Sequence, residues 1–146
     1  MVTIYILITW LLYYAIEGIQ DAYSFNKAYK ANDFDNQVLG LDIHVYKVLQ
    51  RATLGCTTIV LMCILDFGYV IIITNMLELF LMQPFISNGM YFYTRNKLND
   101  HVYPKGFITT KISDDSSAVI DIDKFSNRLI LFTLASVSYI VFNYFI

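Results

Sequence analysis

Long apolar stretches, separated by polar segments that hold nearly all of the charge, dominate this sequence. Residues 2–16 contain no charged side chain, and residues 129–146 contain none either. The chain has 146 residues, of which 57% are hydrophobic and 15% are charged. Soluble domains carry about a quarter charged residues, and uncharged runs of about 20 residues are typical of membrane spans. The pattern therefore predicts an integral membrane protein surrounded by a lipid bilayer.

Four stretches are long enough and apolar enough to form transmembrane helices. A helix of about 20 residues spans about 30 Å, which matches the hydrocarbon core of a bilayer. We therefore predict an all-α membrane protein in which residues 1–146 form a single domain, a four-transmembrane-helix bundle. The predicted helices cover residues 2–23, 45–65, 69–93 and 127–146, with connectors at residues 24–44 and 94–126.

The third predicted helix contains Pro84, which lacks a backbone N–H and is expected to kink the helix. An alternative topology joins the second and third stretches into one bent or re-entrant element. That topology is disfavoured, because the middle apolar region is long enough for two crossings.

The last connector contains two segments, residues 107–112 and 118–123, in which apolar and polar side chains alternate. The polar residues 113–117 lie between them. Alternation with a period of two is typical of a β-strand with one buried face. The pattern predicts a small cytoplasmic β-hairpin in this connector.

The basic residues predict how the helices are oriented in the membrane. All ten Lys and Arg residues lie in or beside the two connectors. Basic loops are retained on the cytoplasmic side, and four crossings place both connectors on the same side. We therefore predict cytoplasmic connectors and extracytoplasmic N- and C-termini. The net charge of −2 gives no indication of a nucleic-acid partner.

Several polar residues are expected to meet where the helices reach the cytoplasmic face. Glu17 and Asp21 are four residues apart, so they share one face of the first helix. The predicted topology brings further polar residues from the second and third helices to the same level. The whole set is Glu17, Asp21, His44, Arg51, Asn88 and Arg95.

This set has a functional and a structural interpretation. Carboxylates and a histidine can hold a divalent metal as a cofactor, and they can act as general acid and base. The candidate catalytic or metal-binding residues are Glu17, Asp21 and His44. The candidate binding residues, which could hold an anionic lipid headgroup, are Arg51, Asn88 and Arg95. In the structural interpretation, each acid pairs with an arginine and fixes the register of the helices.

Glu78 is a separate intramembrane acid near the middle of the third predicted helix. Burial in the bilayer disfavours an ionised, unpaired carboxylate. Glu78 could bind protons or ions along a pathway. It could instead be a neutral acid hydrogen-bonded to a hydroxyl group of another helix, the candidates being Thr57, Thr58, Ser136 and Ser138.

Small residues on the predicted helices favour close helix packing. They include Ala52, Gly55 and Cys56 in the second helix and Thr133 and Ser136 in the fourth. The packing could occur within one chain or between copies. The chain contains none of the common phosphate-binding, serine-hydrolase or zinc-protease motifs.

Two functions therefore remain open. The first is a multi-pass membrane protein that acts by helix packing or partner binding, its partner being another membrane protein or a second copy of the chain. The second is a membrane-embedded enzyme, or a metal or lipid-headgroup site, at the cytoplasmic face. This second function would use Glu17, Asp21, His44 and Asn88.

Overall fold

The computed structural model describes residues 2–31, 41–98, 106–108 and 124–145, apart from the side chains of residues 28–31 and 41–45. The described residues form five α-helices and one π-helical turn. The helices are α1 (Val2–Ala31), α2 (Leu41–Ile64), α3 (Tyr69–Gln83), α4 (Gly89–Leu98) and α5 (Phe125–Tyr144), and the π turn (Pro84–Asn88) joins α3 to α4. Because no residue interrupts this join, α3, the π turn and α4 form one long span.

Four helical spans are long enough and apolar enough to cross a membrane. They are Val2–Lys27, Tyr46–Ile64, Tyr69–Leu98 and Phe125–Tyr144. The predicted number of membrane helices is confirmed by length and composition, as expected of a multi-pass protein embedded in a lipid bilayer. The helices themselves continue further than predicted, α1 to Ala31 and α4 to Leu98.

The prediction of a β-hairpin was wrong for the residues that the structure describes, which form helices and turns and no β-strand. Most of residues 107–123 lies outside the described residues. Phe107 and Ile108, expected to begin the first strand, form a turn instead. The Phe107 ring contacts the ring of Phe85, and its carbonyl oxygen accepts a hydrogen bond from Arg128. These contacts with the helices take the place of strand pairing.

The helices pack as an antiparallel bundle. α1 packs along α4 and the π turn, α3 packs along α5, and α2 packs less extensively against α3. We call the end where α1 and α3 begin the Asp66 end, and the opposite end, where α5 begins, the Arg128 end. The buried core consists of Ile6, Trp10, Tyr14, Met62, Ile72, Leu79, Met82, Ala135 and Tyr139.

Buried polar contacts join α1 to two of its neighbours. The Trp10 indole N–H donates to Thr58 Oγ1 of α2 at 3.0 Å. The Tyr139 hydroxyl of α5 donates to the Thr3 carbonyl oxygen at 2.6 Å. Each large aromatic side chain thus fills the core with its ring and satisfies its polar atom on a neighbouring helix.

A tight turn connects α2 to α3 at the Asp66 end. Asp66 adopts a left-handed backbone conformation with φ of 60°. Its N–H donates to the Cys63 carbonyl, and the Phe67 N–H donates to the Met62 carbonyl. These two bonds form a Schellman motif, which satisfies carbonyl groups at the end of a helix and reverses the chain.

Pro84 begins the π turn within the third span. Proline has no N–H to donate to the carbonyl four residues earlier, so it disturbs the regular hydrogen-bond ladder. A π turn accommodates such a break without ending the helix. Here the local effect of Pro84 is a π-helical turn.

Candidate functional site

Two ion pairs connect α1 to α2 near the Arg128 end. Arg51 Nη2 lies 2.8 Å from Glu17 Oε1, and Arg51 Nε donates to the same oxygen at 3.0 Å. Lys47 Nζ lies 2.5 Å from Asp21 Oδ1. The acids are four residues apart on α1 and the bases four apart on α2. Because the helices are antiparallel, the two pairs form successive cross-links.

The two ion pairs differ in their surroundings. Glu17 is only 4% exposed, whereas its partner Arg51 is 33% exposed. Asp21 and Lys47 are 29% and 25% exposed. A solvent-exposed pair contributes little to stability, but a buried acid strongly requires its cation. Arg51 therefore offsets the free-energy cost of burying the Glu17 carboxylate inside the bundle.

The second carboxylate oxygen of Glu17 has a different environment. Both nitrogen atoms of Arg51 approach Oε1, and Oε2 is buried with no hydrogen-bond partner among the described residues. A buried oxygen atom without a partner costs about 1–3 kcal/mol. This oxygen could still bind a proton, a cation or another ligand group.

Arg95 is held by aromatic side chains. Its guanidinium carbon lies 3.6 Å from the centre of the Phe25 ring, and its Nη1 donates to the Tyr91 hydroxyl at 2.7 Å. Phe25 lies eight residues beyond Glu17 on α1, which is about 12 Å along the helix. Of the two arginines considered as partners of Glu17, the structure places Arg51 against it.

Asn88 is the last residue of the π turn. The neighbouring residue Ser87 lies against Gly18 of α1, so the π turn reaches the level of Glu17 and Asp21.

His44 lies in α2, three residues before Lys47 and seven before Arg51, on the same side of the helix by register. Its side chain lies outside the described residues. Among the side chains that the structure does describe, no group of three or more His, Cys, Asp or Glu residues lies together. The metal-binding role of Glu17, Asp21 and His44 remains a prediction.

The close approach of α1 to the π turn depends on Gly18. A Cβ atom at Gly18 would lie 2.1 Å from the Ser87 carbonyl oxygen and 3.1 Å from the Tyr91 backbone nitrogen. The hydrogen on the Gly18 Cα therefore points at the Ser87 carbonyl, an arrangement common at tight helix contacts. We did not single out Gly18 from the sequence. The signal was its spacing of four residues from Ala22, since small residues at this spacing mark close helix contacts.

A buried cationic centre lies at the Arg128 end. Arg128 is fully buried, and its Nη2 donates to the Phe107 carbonyl oxygen at 2.9 Å. Its guanidinium carbon lies 5.2 Å from the Phe92 ring centre and 5.9 Å from those of Phe107 and Phe125. Aromatic faces attract a desolvated guanidinium group. This burial was not predicted from the sequence, where Arg128 is one of the basic residues beside the last connector, although Phe125 lies one turn before it.

Glu78 lies in the contact between α3 and α5. It is 3% exposed and hydrogen-bonds through Oε1 to the Ser138 hydroxyl, one of the four hydroxyl groups considered. One turn closer to the Asp66 end, the side-chain amides of Asn75 and Asn143 bond reciprocally at 3.0 and 2.6 Å. Polar side chains thus occupy the half of the α3–α5 contact that lies nearer the Asp66 end.

The small residues of α2 are divided between two faces. Gly55 is buried, and a Cβ there would lie 3.4 Å from the Met76 methyl carbon of α3. Ala52 and Cys56 are exposed. Of these three residues, only Gly55 therefore packs against another helix of the described bundle.

No family model, curated protein or solved structure matches this chain.

Proposed function

We propose that this multi-pass membrane protein is non-enzymatic and acts by packing its helices and binding a partner within the membrane. One observation carries the proposal: both acids of the cytoplasmic-face cluster, Glu17 and Asp21, already form ion pairs between α1 and α2. A general base must reach a proton on its substrate. An acid that is buried against its own arginine is better placed to hold two helices in register.

Charge exchange tests this structural role. The single variants E17R and R51E each bury two like charges and should prevent stable folding. The double variant E17R/R51E restores opposite charges, so it should recover much of the folded, monodisperse protein in detergent. Gel filtration and thermal unfolding measure both effects. Failure of the double variant to improve on either single variant would count against a register-setting ion pair.

The supporting observation for partner binding is the outward face of α2. Only Gly55, Thr58 and Met62 are buried in its membrane span, whereas the small residues Ala52 and Cys56 are exposed. Transmembrane helices use small residues to approach one another closely. The partner would be another membrane protein or a second copy of this chain.

Cysteine cross-linking in native membranes distinguishes the two partners. In a C63S background, mild oxidation should join two copies through Cys56 if the partner is a second copy. A matched control carries its only cysteine on α5, in the variant C56S/C63S/L134C, because Leu134 is also exposed. Equal cross-linking at both positions would indicate random collision and count against a specific contact.

A second candidate function rests on the buried Oε2 atom of Glu17, which has no hydrogen-bond partner among the described residues. That atom could bind a metal or a substrate group. The site would be a membrane-embedded enzyme, metal or lipid-headgroup site built from Glu17, Asp21, His44 and Asn88. The test is the metal content of purified protein beside that of E17A. Near-stoichiometric metal that is lost in the variant would favour this candidate over the packing role.

The proposed orientation follows from the basic residues. It places residues 24–44 and 94–126 in the cytoplasm and both termini outside. An impermeant maleimide should label a single cysteine introduced at Gly68 only from outside the cell. The native cysteines are first replaced by serine, as in C56S/C63S/G68C. Labelling only from the cytoplasmic side would reverse the topology.

A further inference from the structure

Glu78 is a buried acid that no ion pair neutralises. Its Oε1 bonds to Ser138, and its Oε2 is buried without a hydrogen-bond partner among the described residues. The described part of the chain contains no Lys, Arg or His that forms an ion pair with it. The titratable side chain that α5 places near Glu78 is Tyr139, whose hydroxyl donates to the Thr3 carbonyl of α1. Glu17 and Asp21 of α1, by contrast, pair with Arg51 and Lys47 of α2 near the Arg128 end.

These surroundings favour the neutral acid. An ionised carboxylate with one unsatisfied oxygen in an apolar core is strongly disfavoured. A protonated carboxyl group can donate as well as accept, so it fits beside a serine hydroxyl without a counter-ion. Glu78 lies nine residues into the third span, about 14 Å from its beginning and near the middle of the bilayer.

Among the described residues of the α3–α5 contact, the polar side chains next to Glu78 along α3 lie toward the Asp66 end. Asn75 lies one turn nearer the Asp66 end and hydrogen-bonds to Asn143. Asn143 is the penultimate residue of α5 and is partly exposed. In the other direction, the next buried side chains of α3 are Leu79 and Met82. Amide groups can relay hydrogen bonds to water, whereas these two apolar side chains cannot.

We propose that Glu78 is a proton-binding site that exchanges its proton with the aqueous phase at the Asp66 end, through the Asn75–Asn143 pair. The ligand is the proton itself, which binds reversibly to a carboxylate oxygen and forms no other bond. The site binds protons but does not conduct them across the membrane, because Leu79 and Met82 separate it from the Arg128 end.

A membrane-permeant carbodiimide tests this inference on the wild-type protein in proteoliposomes. The O–H group of a protonated carboxylic acid in an apolar environment adds across one C=N bond of the reagent: the carboxyl oxygen bonds to the central carbon and the proton goes to a nitrogen atom. The adduct rearranges to a stable N-acylurea that retains all atoms of both reactants. Mass spectrometry should find this adduct on Glu78. Its yield should fall by about tenfold for each pH unit above the midpoint of the transition, as the protonated fraction falls.

Two internal comparisons make the result specific. Glu17 is also buried, but two nitrogen atoms of Arg51 contact its Oε1, so Glu17 should react much less than Glu78 at the same pH. The variant E78Q should lose the adduct on that peptide. Should E78Q fail to fold, the wild-type pH profile still decides the question, because it requires no substitution.

The side from which the proton enters is tested with a pH gradient. The variant C56S/C63S/G68C is reconstituted in proteoliposomes, where its single cysteine lies in the turn at the Asp66 end. Biotin-maleimide added outside labels only those molecules whose Asp66 end faces outward, and the biotin allows them to be isolated. In the captured molecules, modification of Glu78 should follow the external pH and not the internal pH.

Several outcomes would overturn the inference. One is the absence of Glu78 modification at every pH, and another is a yield independent of pH between 5 and 9. Dependence on the internal pH would overturn the proposed access. Protection by sodium ions at constant pH, relative to choline, would show a metal-cation site in place of a proton site.

Discussion

Arg51 of α2 directs two nitrogen atoms, Nε and Nη2, at a single oxygen atom of Glu17 of α1. The arrangement neutralises a buried acid at the middle of α1. It also leaves the partly exposed pair Asp21–Lys47, one turn away, as a much weaker cross-link between the same helices.

The variants R51A and K47A should therefore differ in stability. Removal of Arg51 leaves Glu17 buried without a cation, which should cost about 2–3 kcal/mol of unfolding free energy. Removal of Lys47 leaves a partly solvated Asp21 and should cost about 0.5 kcal/mol. Reversible denaturation in mixed micelles measures both values. The double variant E17Q/R51A should recover part of the loss, and equal costs for R51A and K47A would contradict this account.

Gly18 and Gly55 should respond in opposite ways to an added methyl group. In G18A the new Cβ would meet the Ser87 carbonyl oxygen at 2.1 Å, so α1 must move away from the π turn at a cost of about 1–3 kcal/mol. In G55A the nearest atom is the flexible end of Met76 at 3.4 Å. Because alanine is the better helix former, G55A should be neutral or stabilising by up to about 1 kcal/mol. Thermal unfolding of both variants in one detergent checks the contrast.

The turn between α2 and α3 offers a stabilising substitution. Asp66 has a φ of 60°, a conformation that glycine adopts without strain. D66G should raise the unfolding free energy by up to about 1 kcal/mol, and D66V should lower it. Gly68 provides the control, since it has φ of −60° and a Cβ there would meet no atom within 4 Å. G68A should therefore leave stability unchanged or slightly raised, and destabilisation by D66G would show that the Asp66 side chain stabilises the turn.

Phe107 should anchor its turn to the helices. Its ring packs on Gly89 and Phe85, and its carbonyl oxygen accepts from the buried Arg128. F107A removes a half-buried ring and should lower the free energy of unfolding by about 1–3 kcal/mol. The neighbouring Ile108 is 69% exposed, so I108A should have little effect.

A second substitution tests the same contact from the helix side. A Cβ at Gly89 would lie 2.5 Å from the Phe107 ring, so G89A should displace the ring. Limited proteolysis near residue 107 should become faster in both F107A and G89A. Unchanged proteolysis in both variants would argue against the anchor.

For the candidate site, the sequence predicted only which side chains share a face of one helix. Glu17 and Asp21 share a face because they are four residues apart, and this could be predicted. Which arginine neutralises Glu17 could not be predicted, because the answer depends on how α2 and α4 are rotated about their axes. The structure places Arg51 against the acid and Arg95 against Phe25.

The number of membrane helices was determined by the sequence alone. Membrane insertion depends on the summed hydropathy of about 20 consecutive residues, which is a local property of the chain. Tertiary structure decided the turn at Phe107, the close approach at Gly18 and the partner of Glu78. Each of these depends on atoms that are distant in sequence, and each is selected by the packing of whole helices against one another.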